Sequence, residues 1–439
     1  MEWWLVLIII FAGAMALLAV GMPVAFAFII VNMVGVLVLQ GGGRAFHTLT
    51  LSMFSSVSTF TLLPVPLFIL MGEVLWHSRV AFRAIEVLDK LLGRLPGRLS
   101  ILTVLSGTVF SSLSGSTMAN TAVLGTMLLP DMERRGYRRP MSIGPILASG
   151  GLAMMVPPSA LAVILAAIAK LSIGRILIAA LVPGLIMAVL YMAYILVRCR
   201  LQPELTPAYE VRRASLGERL DGVVRHLLPL GLIVFLVTGV IVLGVATPTE
   251  AAALGCLGSF VLAAVYRSLT WEVVRKAVGG TVHISVMMMA ILVGALGFSQ
   301  LLAYSGSSRG LLEAVVALPV APLLLIVAMQ GIVLVLGTFM EQIAIMMITM
   351  PIYIPIVTSL GYDPIWFGVL MLINLQMALT TPPFGLLLFV LKGVAPADTT
   401  MRQIYLAGLP FLACDLVALV VVLLYPDSIG WLVDWVYAK

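Results

Sequence analysis

Long apolar runs separated by short polar turns recur along the chain, and most of them have the length of a membrane-spanning helix. A helix needs about 20 predominantly apolar residues to cross the hydrocarbon core of a bilayer. Charged and apolar positions mix at residues 79–95, which predicts an amphipathic helix at the membrane surface, and residues 44–57 are predicted to form a short connecting helix. The predicted spans are residues 3–20, 24–40, 58–76, 141–170, 176–198, 228–245, 249–266, 281–303, 365–391 and 403–425.

The apolar run at residues 99–130 differs from the others because its centre, residues 111–120, is rich in Ser and Gly. The positive-inside rule places both of its arginine-rich flanks in the cytoplasm, so the run does not span the membrane. It is predicted to be a re-entrant helical hairpin, whose tip must be buried in protein or line a watery cavity. A helix-packing patch inside one long kinked span is the alternative. The flanking arginines are Arg94, Arg98, Arg134, Arg135, Arg138 and Arg139.

The two halves of the chain repeat each other at an offset of 225 positions. A repeat whose period is half of the protein is typical of a duplicated transporter fold. The repeat predicts a first half at residues 1–198, a linker at 199–227 and a second half at 228–439. The landmarks that coincide are Pro23 with Pro248, Pro130 with Pro355, Gly136 with Gly361, and the pair Pro157-Pro158 with Pro382-Pro383.

The repeat also predicts a second hairpin at residues 319–355, with its tip around residues 337–342. Its flanks carry little positive charge, so it is predicted to enter the membrane from the periplasmic side. Each half then contributes five spans and one hairpin, and the odd number of spans inverts the second half. The predicted topology has the linker in the cytoplasm, both termini outside, and Lys170 and Arg175 also outside.

Composition agrees with an all-α polytopic membrane protein. Of 439 residues, 62% are hydrophobic and 10% charged, and the mean hydropathy is +1.16, whereas a soluble domain has about 25% charged residues. The net charge of +6 therefore reflects topology and not binding to nucleic acid. The cysteines and histidines are scattered and no nucleotide-binding loop occurs, so neither a metal centre other than a Na⁺ site nor ATP hydrolysis is expected.

The two Pro-Pro pairs interrupt the predicted spans at residues 141–170 and 365–391. Proline lacks the N–H that a helix needs, so each pair frees backbone carbonyls. Beside a hairpin tip, such carbonyls and Ser/Thr hydroxyls can replace the water around Na⁺, and helix N-terminal ends favour a substrate carboxylate. Two tips and two breaks therefore predict two cation sites around a central anion site. The alternative is that these prolines only kink their helices.

Seven motifs, in order along nearly the whole chain, resemble those of the large membrane subunit of tripartite ATP-independent periplasmic (TRAP) transporters, of the DctM/SiaM type. The resemblance implies an elevator-type fold, in which a transport domain slides against a scaffold domain. It also implies Na⁺-driven uptake of an organic acid across the bacterial inner membrane. Two partners follow from it, a small four-helix membrane subunit (DctQ type) and a periplasmic binding protein (DctP type). The motifs are GMPVAF at 21–26, PVPLF at 64–68, SLSGSTMAN at 112–120, VPPS at 156–159, ATPTEA at 246–251, GTFME at 337–341 and TPPFG at 381–385.

The resemblance assigns ligands to both predicted cation sites. The first Na⁺ site is expected at Ser111 and Ser114 of the first tip with Ala153, Val156 and Pro158 of the first break. The second is expected at Gly337 of the second tip with Ala378 and Thr381 of the second break. The substrate anion is expected between the tips, near Ser116, Asn120 and Thr380.

Glu341 lies at the second tip, where it either supports the second cation site or caps a half-helix. No histidine is placed to activate a tip serine, so the chain is not expected to be an enzyme. A stand-alone Na⁺- or H⁺-coupled carboxylate transporter of the same superfamily, working without a binding protein, is the alternative function. C4-dicarboxylates, sialic acids, other sugar acids and keto acids all remain open as substrates.

Overall fold

The computed structural model describes residues 2–40, 43–93, 95–114, 116–207 and 215–437, and this part of the chain is helical with no β-strand. Six of its helices are long and apolar enough to cross a membrane, and the pair at residues 64–91, bent by 66°, forms a seventh if it counts as one span. The predicted fold class, an all-α polytopic membrane protein, is confirmed.

The first half contains ten helices within the described residues. Their bounds are α1 (Trp3–Ala19), α2 (Val24–Gln40), α3 (Gly43–Val57), α4 (Pro64–His77), α5 (Val80–Leu91), α6 (Arg98–Ser114), α7 (Thr117–Arg134), α8 (Arg139–Gly151), α9 (Ala160–Ile168) and α10 (Ile173–Leu201). The second half contains ten more. These are α11 (Leu216–Val242), α12 (Pro248–Val265), α13 (Trp271–Tyr304), α14 (Ser307–Val316), α15 (Pro322–Gly337), α16 (Gln342–Ser359), α17 (Pro364–Thr380), α18 (Leu386–Val394), α19 (Met401–Leu424) and α20 (Asp427–Tyr437).

The offset of 225 carries helix bounds of the first half onto those of the second. It maps α7 onto α16 residue for residue, and the starts of α8 and α17 coincide. Equivalent turns also match, since Gly136 (φ 79°) and Gly361 (φ 83°) both follow a helix in the left-handed conformation. A glycine adopts that conformation without steric cost and closes a helix end there.

Three helices differ from the apolar runs in the sequence. The helix α11 begins at Leu216, inside the predicted linker, where Ser215 and Glu218 form a capping box. The helix α13 begins ten residues before the apolar run at 281, because Glu272 and Lys276 pair at 2.6 Å along its polar first turns. The helix α14 repeats the surface helix α5 in the second half and was not predicted.

The helices pack in two groups. In one group α4 packs against α12 and α13, and α2 packs against α13. In the other, both arms of the first hairpin (α6, α7) pack against α8, α15 packs against α17, and α19 packs against α8 and α17. Contacts between the groups run from α4 and α13 to α6, α9 and α16. We call the first group the scaffold and the second the hairpin group.

Most cationic side chains gather at one end of the bundle, where helix ends from both halves meet. The opposite end carries Lys170, Arg175 and Arg309. The contacts that join the cationic end are Arg98 to Asp89 (2.8 Å), the Arg138 N–H to the Leu205 carbonyl (2.9 Å), Arg139 to Asp398 (2.9 Å), and the Arg83 guanidinium over the Tyr266 ring (4.9 Å).

Candidate functional site between the hairpin tips

The first hairpin returns to the side of the bundle from which it enters. Its helix α6 ends at Ser114 and α7 begins at Thr117, and their outer ends are joined because the Leu99 N–H donates to the Tyr137 hydroxyl at 3.3 Å. Ser116 begins α7 as its N-cap and accepts a hydrogen bond from the Ala119 N–H at 3.3 Å. The tip therefore presents the N-terminal end of a helix inside the protein.

Asn120 ties the first hairpin to the broken helix beside it. Its side-chain Nδ2 donates to the Ser111 hydroxyl at 2.9 Å, to the Ser149 carbonyl at 3.1 Å and to the Gly107 carbonyl at 3.2 Å. The residue is buried, and its Oδ1 has no hydrogen-bond partner in the described chain. A buried acceptor without a donor costs free energy unless another group, such as a cation, binds it.

The first break lies between α8 and α9. After Gly151 the chain makes one 3₁₀ turn at Leu152–Met154, and α9 restarts behind the cap that Ser159 forms with the Ala162 N–H at 3.2 Å. Pro157 and Pro158 have no N–H, so the carbonyls of Ala153 and Met154 lack the donor a continuous helix would supply. Ala153, Val156 and Pro158 are all buried here.

The second break lies between α17 and α18, beside the second tip, and has neither the 3₁₀ turn nor the serine cap of the first. A Cβ added to Gly337, the last residue of α15, would lie 2.1 Å from the Ala378 Cβ, so only glycine allows the tip and the break to touch. The hydroxyls of Thr380 and Thr381 both donate to the Met377 carbonyl, at 3.0 and 2.7 Å. The predicted ligands of the second cation site therefore lie together.

The two halves also contact each other directly. The Gln342 amide, at the second tip, lies 3.3 Å from the Met154 sulfur at the first break. A Cβ added to Gly151 would lie 1.5 Å from Nε2 of Gln376, so the Gln376 side chain fills the space that Gly151 leaves open. The breaks and tips of both halves thus form one packed unit.

A cavity of about 470 Å³ separates this unit from the scaffold. Both tips border it, through residues 116–119 and 341–343, and the start of α9 closes it at Ala160 and Leu161. The scaffold side comes from α4 and α13. We call this space the tip cavity. The N-terminal ends of α7, α9 and α16 converge on it, and helix N-terminal ends carry partial positive charge that favours anions.

The ionisable groups of the tip cavity are Glu73, His77 and Glu341, and no Lys or Arg lines it within the described chain. His77 Nε2 lies 3.1 Å from Glu73 Oε2, one helical turn away on α4. Gly280 on α13 makes room for this pair, because a Cβ there would come within 2.7 Å of the Glu73 carboxyl. Neither Glu73 nor His77 is among the site residues predicted from the sequence, although their spacing of four on an apolar helix was the available signal.

Of the three residues predicted to bind the substrate, one lines the tip cavity and two do not. Ser116 and Glu341 line the tip cavity, whereas Thr380 and Asn120 do not. Ser111 lies on α6 and accepts a hydrogen bond from the Asn120 amide, and the Ser114 side chain lies outside the described part of the chain. Asp415, which the sequence left without a role, is buried and accepts a hydrogen bond from the Tyr191 hydroxyl, which joins α19 to α10.

Comparison with known proteins agrees with this architecture. Residues 11–428 match the DctM component of the tripartite ATP-independent periplasmic transporter. The chain is 34% identical to the C4-dicarboxylate TRAP transporter large permease protein DctM of Pseudomonas aeruginosa, over 89% of this chain and 90% of that protein. It is 29% identical to the sialic acid TRAP transporter large permease protein SiaM of Vibrio cholerae, over 94% and 95% of the two chains.

A solved structure shares the fold. The Alcanivorax borkumensis YdaH transporter superimposes with a TM-score of 0.65 at 14% identity, over 90% of this chain and 91% of that one. The family match covers nearly all of the described helices, including both hairpins and both breaks. This chain therefore belongs to the DctM family of TRAP transporter large permease subunits, which are multi-pass membrane transport proteins and not enzymes.

Proposed function

We propose that this subunit carries an organic acid inward across the bacterial inner membrane, coupled to Na⁺. A periplasmic binding protein of the DctP type delivers the acid, and a separate small membrane subunit of the DctQ type completes the transporter. The observation that carries the proposal is the tip cavity, where three helix N-terminal ends meet between the two groups of helices. Those ends suit the carboxylate of the substrate, which binds near Ser116 at the start of α7.

Na⁺ coupling is supported by the charge of the tip cavity and by its surroundings. A carboxylate entering beside Glu73 and Glu341, with no Lys or Arg in the described lining, needs compensating positive charge nearby. Freed carbonyls and hydroxyls at the two breaks are the oxygen ligands that a hard cation prefers. The first Na⁺ binds at Ser111, Ser114, Ala153, Val156 and Pro158, and the second at Gly337, Ala378 and Thr381.

In this mechanism Asn120 and Thr380 do not contact the substrate, and each supports one of the two cation sites. Asn120 Oδ1, buried and unpaired next to Ser111, faces the first cation site, and Thr380 holds the backbone of the second break. Glu341 sits at the N-terminal end of α16, where its carboxylate is stabilised by the helix dipole and supports the second cation site. Cation binding thus fixes both tips, and the tips then hold the substrate.

An elevator movement is supported by where the tip cavity lies. It separates the hairpin group from the scaffold, so sliding one against the other would move the bound substrate across the membrane. The cationic end of the bundle is cytoplasmic under the positive-inside rule. The scaffold lining runs from Ile69 to His77 on α4, toward the bend before α5 at that end, so the cavity is inward-facing.

Reconstituted uptake tests the proposal. This chain is purified with its small subunit and placed in proteoliposomes. Labelled succinate and labelled N-acetylneuraminate are then offered with and without an inward Na⁺ gradient, and with and without the binding protein from the same gene neighbourhood. We expect uptake to require both the inward Na⁺ gradient and the binding protein. Uptake that needs Na⁺ but no binding protein would replace the proposal with the stand-alone carboxylate transporter.

A further inference from the structure

A second cavity of about 450 Å³ lies between the scaffold and the hairpin group, beyond the tip cavity. Its wall combines the end of α9 at Ala166, Ala167 and Lys170 with the last turns of α13, including Ser299 and Gln300. The end of α3, at Ser52 and Ser55, and the segment that joins α3 to α4, at Thr59 and Leu62, close it. We call this space the Lys170 cavity.

The helices α9 and α13 line both cavities, with different residues of each helix bordering each cavity. On α9, Leu161 borders the tip cavity and Ala166 borders the Lys170 cavity; on α13 the corresponding residues are Met288 and Leu292. At 1.5 Å per residue, these steps separate the cavities by only about 6 to 8 Å. The residues between these positions, among them Ile164 on α9 and Ile291 on α13, are buried and apolar. The two spaces therefore lie on either side of a thin apolar layer between the scaffold and the hairpin group.

The two cavities differ in their ionisable groups. The tip cavity contains Glu73, His77 and Glu341, whereas the described lining of the Lys170 cavity contains one ammonium group and no acid. Lys170 is exposed and has no acidic partner among the described residues. Hydroxyls of Ser55, Thr59 and Ser299 and the Gln300 amide supply hydrogen-bonding groups around it. The buried Gln300 Oε1 is unpaired, so this amide can turn its NH₂ group toward an anion.

We propose that the Lys170 cavity is the receiving site on the periplasmic side, where the carboxylate of an arriving substrate pairs with Lys170 before the hairpin group carries it past the scaffold. This rests on the proposed function, because it takes the substrate to be an organic anion delivered from the periplasm. Arg175 lies five residues further on but does not share the site: its guanidinium stacks over the Tyr437 ring at 5.1 Å, and it is absent from the lining.

The first test measures the charge of the cavity and needs no substrate. Ser299→Cys is introduced into a chain whose Cys199, Cys256 and Cys414 are replaced by alanine. Its reaction with an anionic methanethiosulfonate is compared with that of a cationic one, both membrane-impermeant and added outside. We expect the anionic reagent to be favoured, and Lys170→Gly to lower the ratio of the two rates by about tenfold, since focused charge raises local counter-ion concentration.

Lys170 has φ 55°, a conformation that glycine adopts freely, so Lys170→Gly removes the charge without straining the backbone. Lys170→Arg should keep the reagent preference and Lys170→Glu should invert it, whereas Arg175→Gln should leave it unchanged. A ratio that is the same in Lys170→Gly and the parent, or a thiol at position 299 that neither reagent reaches from outside, would overturn the proposal.

The second test measures uptake with the binding protein, using whichever of labelled succinate and N-acetylneuraminate the parent chain carries. We expect Lys170→Gly to raise KM about tenfold and Lys170→Arg to restore it. If the parent is fully active and Lys170→Gly has the same KM as the parent, the receiving site is wrong and the proposed function stands. If the parent carries neither acid, the proposed function fails for those acids and the reagent ratio alone decides the charge of the cavity.

Discussion

At the scale of single residues, Asn120 does more than occupy a polar position in a tip. One amide nitrogen links two arms of a hairpin and the end of a broken helix, at 2.9, 3.2 and 3.1 Å. The same side chain leaves its oxygen unpaired in a buried place. One residue thus combines a structural contact with a buried acceptor beside the proposed first cation site.

Replacing Asn120 by alanine should destabilise the protein. The change removes the amide donor that the Gly107 and Ser149 carbonyls and the Ser111 hydroxyl share, and the loss of these buried hydrogen bonds costs about 1 to 3 kcal/mol in free energy of unfolding. We expect a lower Tm in detergent, measured by differential scanning fluorimetry. Thr126→Ala is the matched control on the same helix, because that exposed hydroxyl bonds only to Ala122 of its own helix. Equal Tm values for both variants would contradict the linking role.

Replacing Thr381 by alanine should weaken Na⁺ activation of uptake. Loss of one oxygen ligand is expected to raise the Na⁺ concentration for half-maximal uptake about tenfold, equivalent to about 1.4 kcal/mol. Ser111→Ala should do the same at the first site. Thr381→Ser keeps the hydroxyl and should retain parental Na⁺ dependence, and the exposed Thr358→Ala serves as control. Unchanged Na⁺ dependence in both alanine variants would remove these residues from the cation sites.

At the scale of helices, the second tip and the second break touch without an intervening side chain at Gly337. The contact is possible because Ala378 faces a glycine. It makes the position of α15 depend on the position of α17, so a change at one break shifts the neighbouring tip.

Gly337→Ala should separate these two elements. The new methyl would lie 2.1 Å from the Ala378 Cβ, and overpacking of this kind costs about 1 to 3 kcal/mol. We expect lower Tm and weaker Na⁺ activation together. Gly331→Ala, on the same helix with open space around it, should leave Na⁺ activation unchanged and gain up to about 1 kcal/mol of stability. If the two variants behave alike, the close approach does not control the site.

Most of the helices could be predicted from the sequence, because apolar runs and the proline and glycine residues that end them are local signals. Starts of α11 and α13 were missed because ion pairs and capping groups, not apolar residues, form their first turns. The tip cavity could be anticipated only in part. The spacing of Glu73 and His77 places them on one face of α4. That this face lines the tip cavity follows only from how α4 packs beside α13 and the two tips.

At the scale of the whole molecule, the charge distribution gives the two ends of the bundle different surroundings. Cationic side chains collect where α5, α8 and α10 end or begin, and few occur at the other end. This asymmetry sets the orientation on which the inward-facing cavity and the periplasmic Lys170 cavity both depend.

Cysteine labelling should establish that orientation. Ser215→Cys and Ser359→Cys place a thiol at two exposed positions, predicted to lie on opposite sides of the membrane. In intact cells, a membrane-impermeant maleimide that reaches the periplasm should label the Ser359→Cys variant, and the Ser215→Cys variant should react only after the cells are opened. The reverse pattern would invert the topology and, with it, the assignment of both cavities.

The contact between Gly151 and Gln376 bears on the origin of the chain. The two positions are 225 apart, so they are the same position of the repeat, and they meet at its pseudo-twofold axis. In a symmetric dimer of identical halves, a residue on that axis faces its own copy. Two glutamines would collide there and two glycines would leave a void. Within one chain the two copies of a position can differ, so the large and small pair present here is an arrangement that a dimer of identical halves could not adopt.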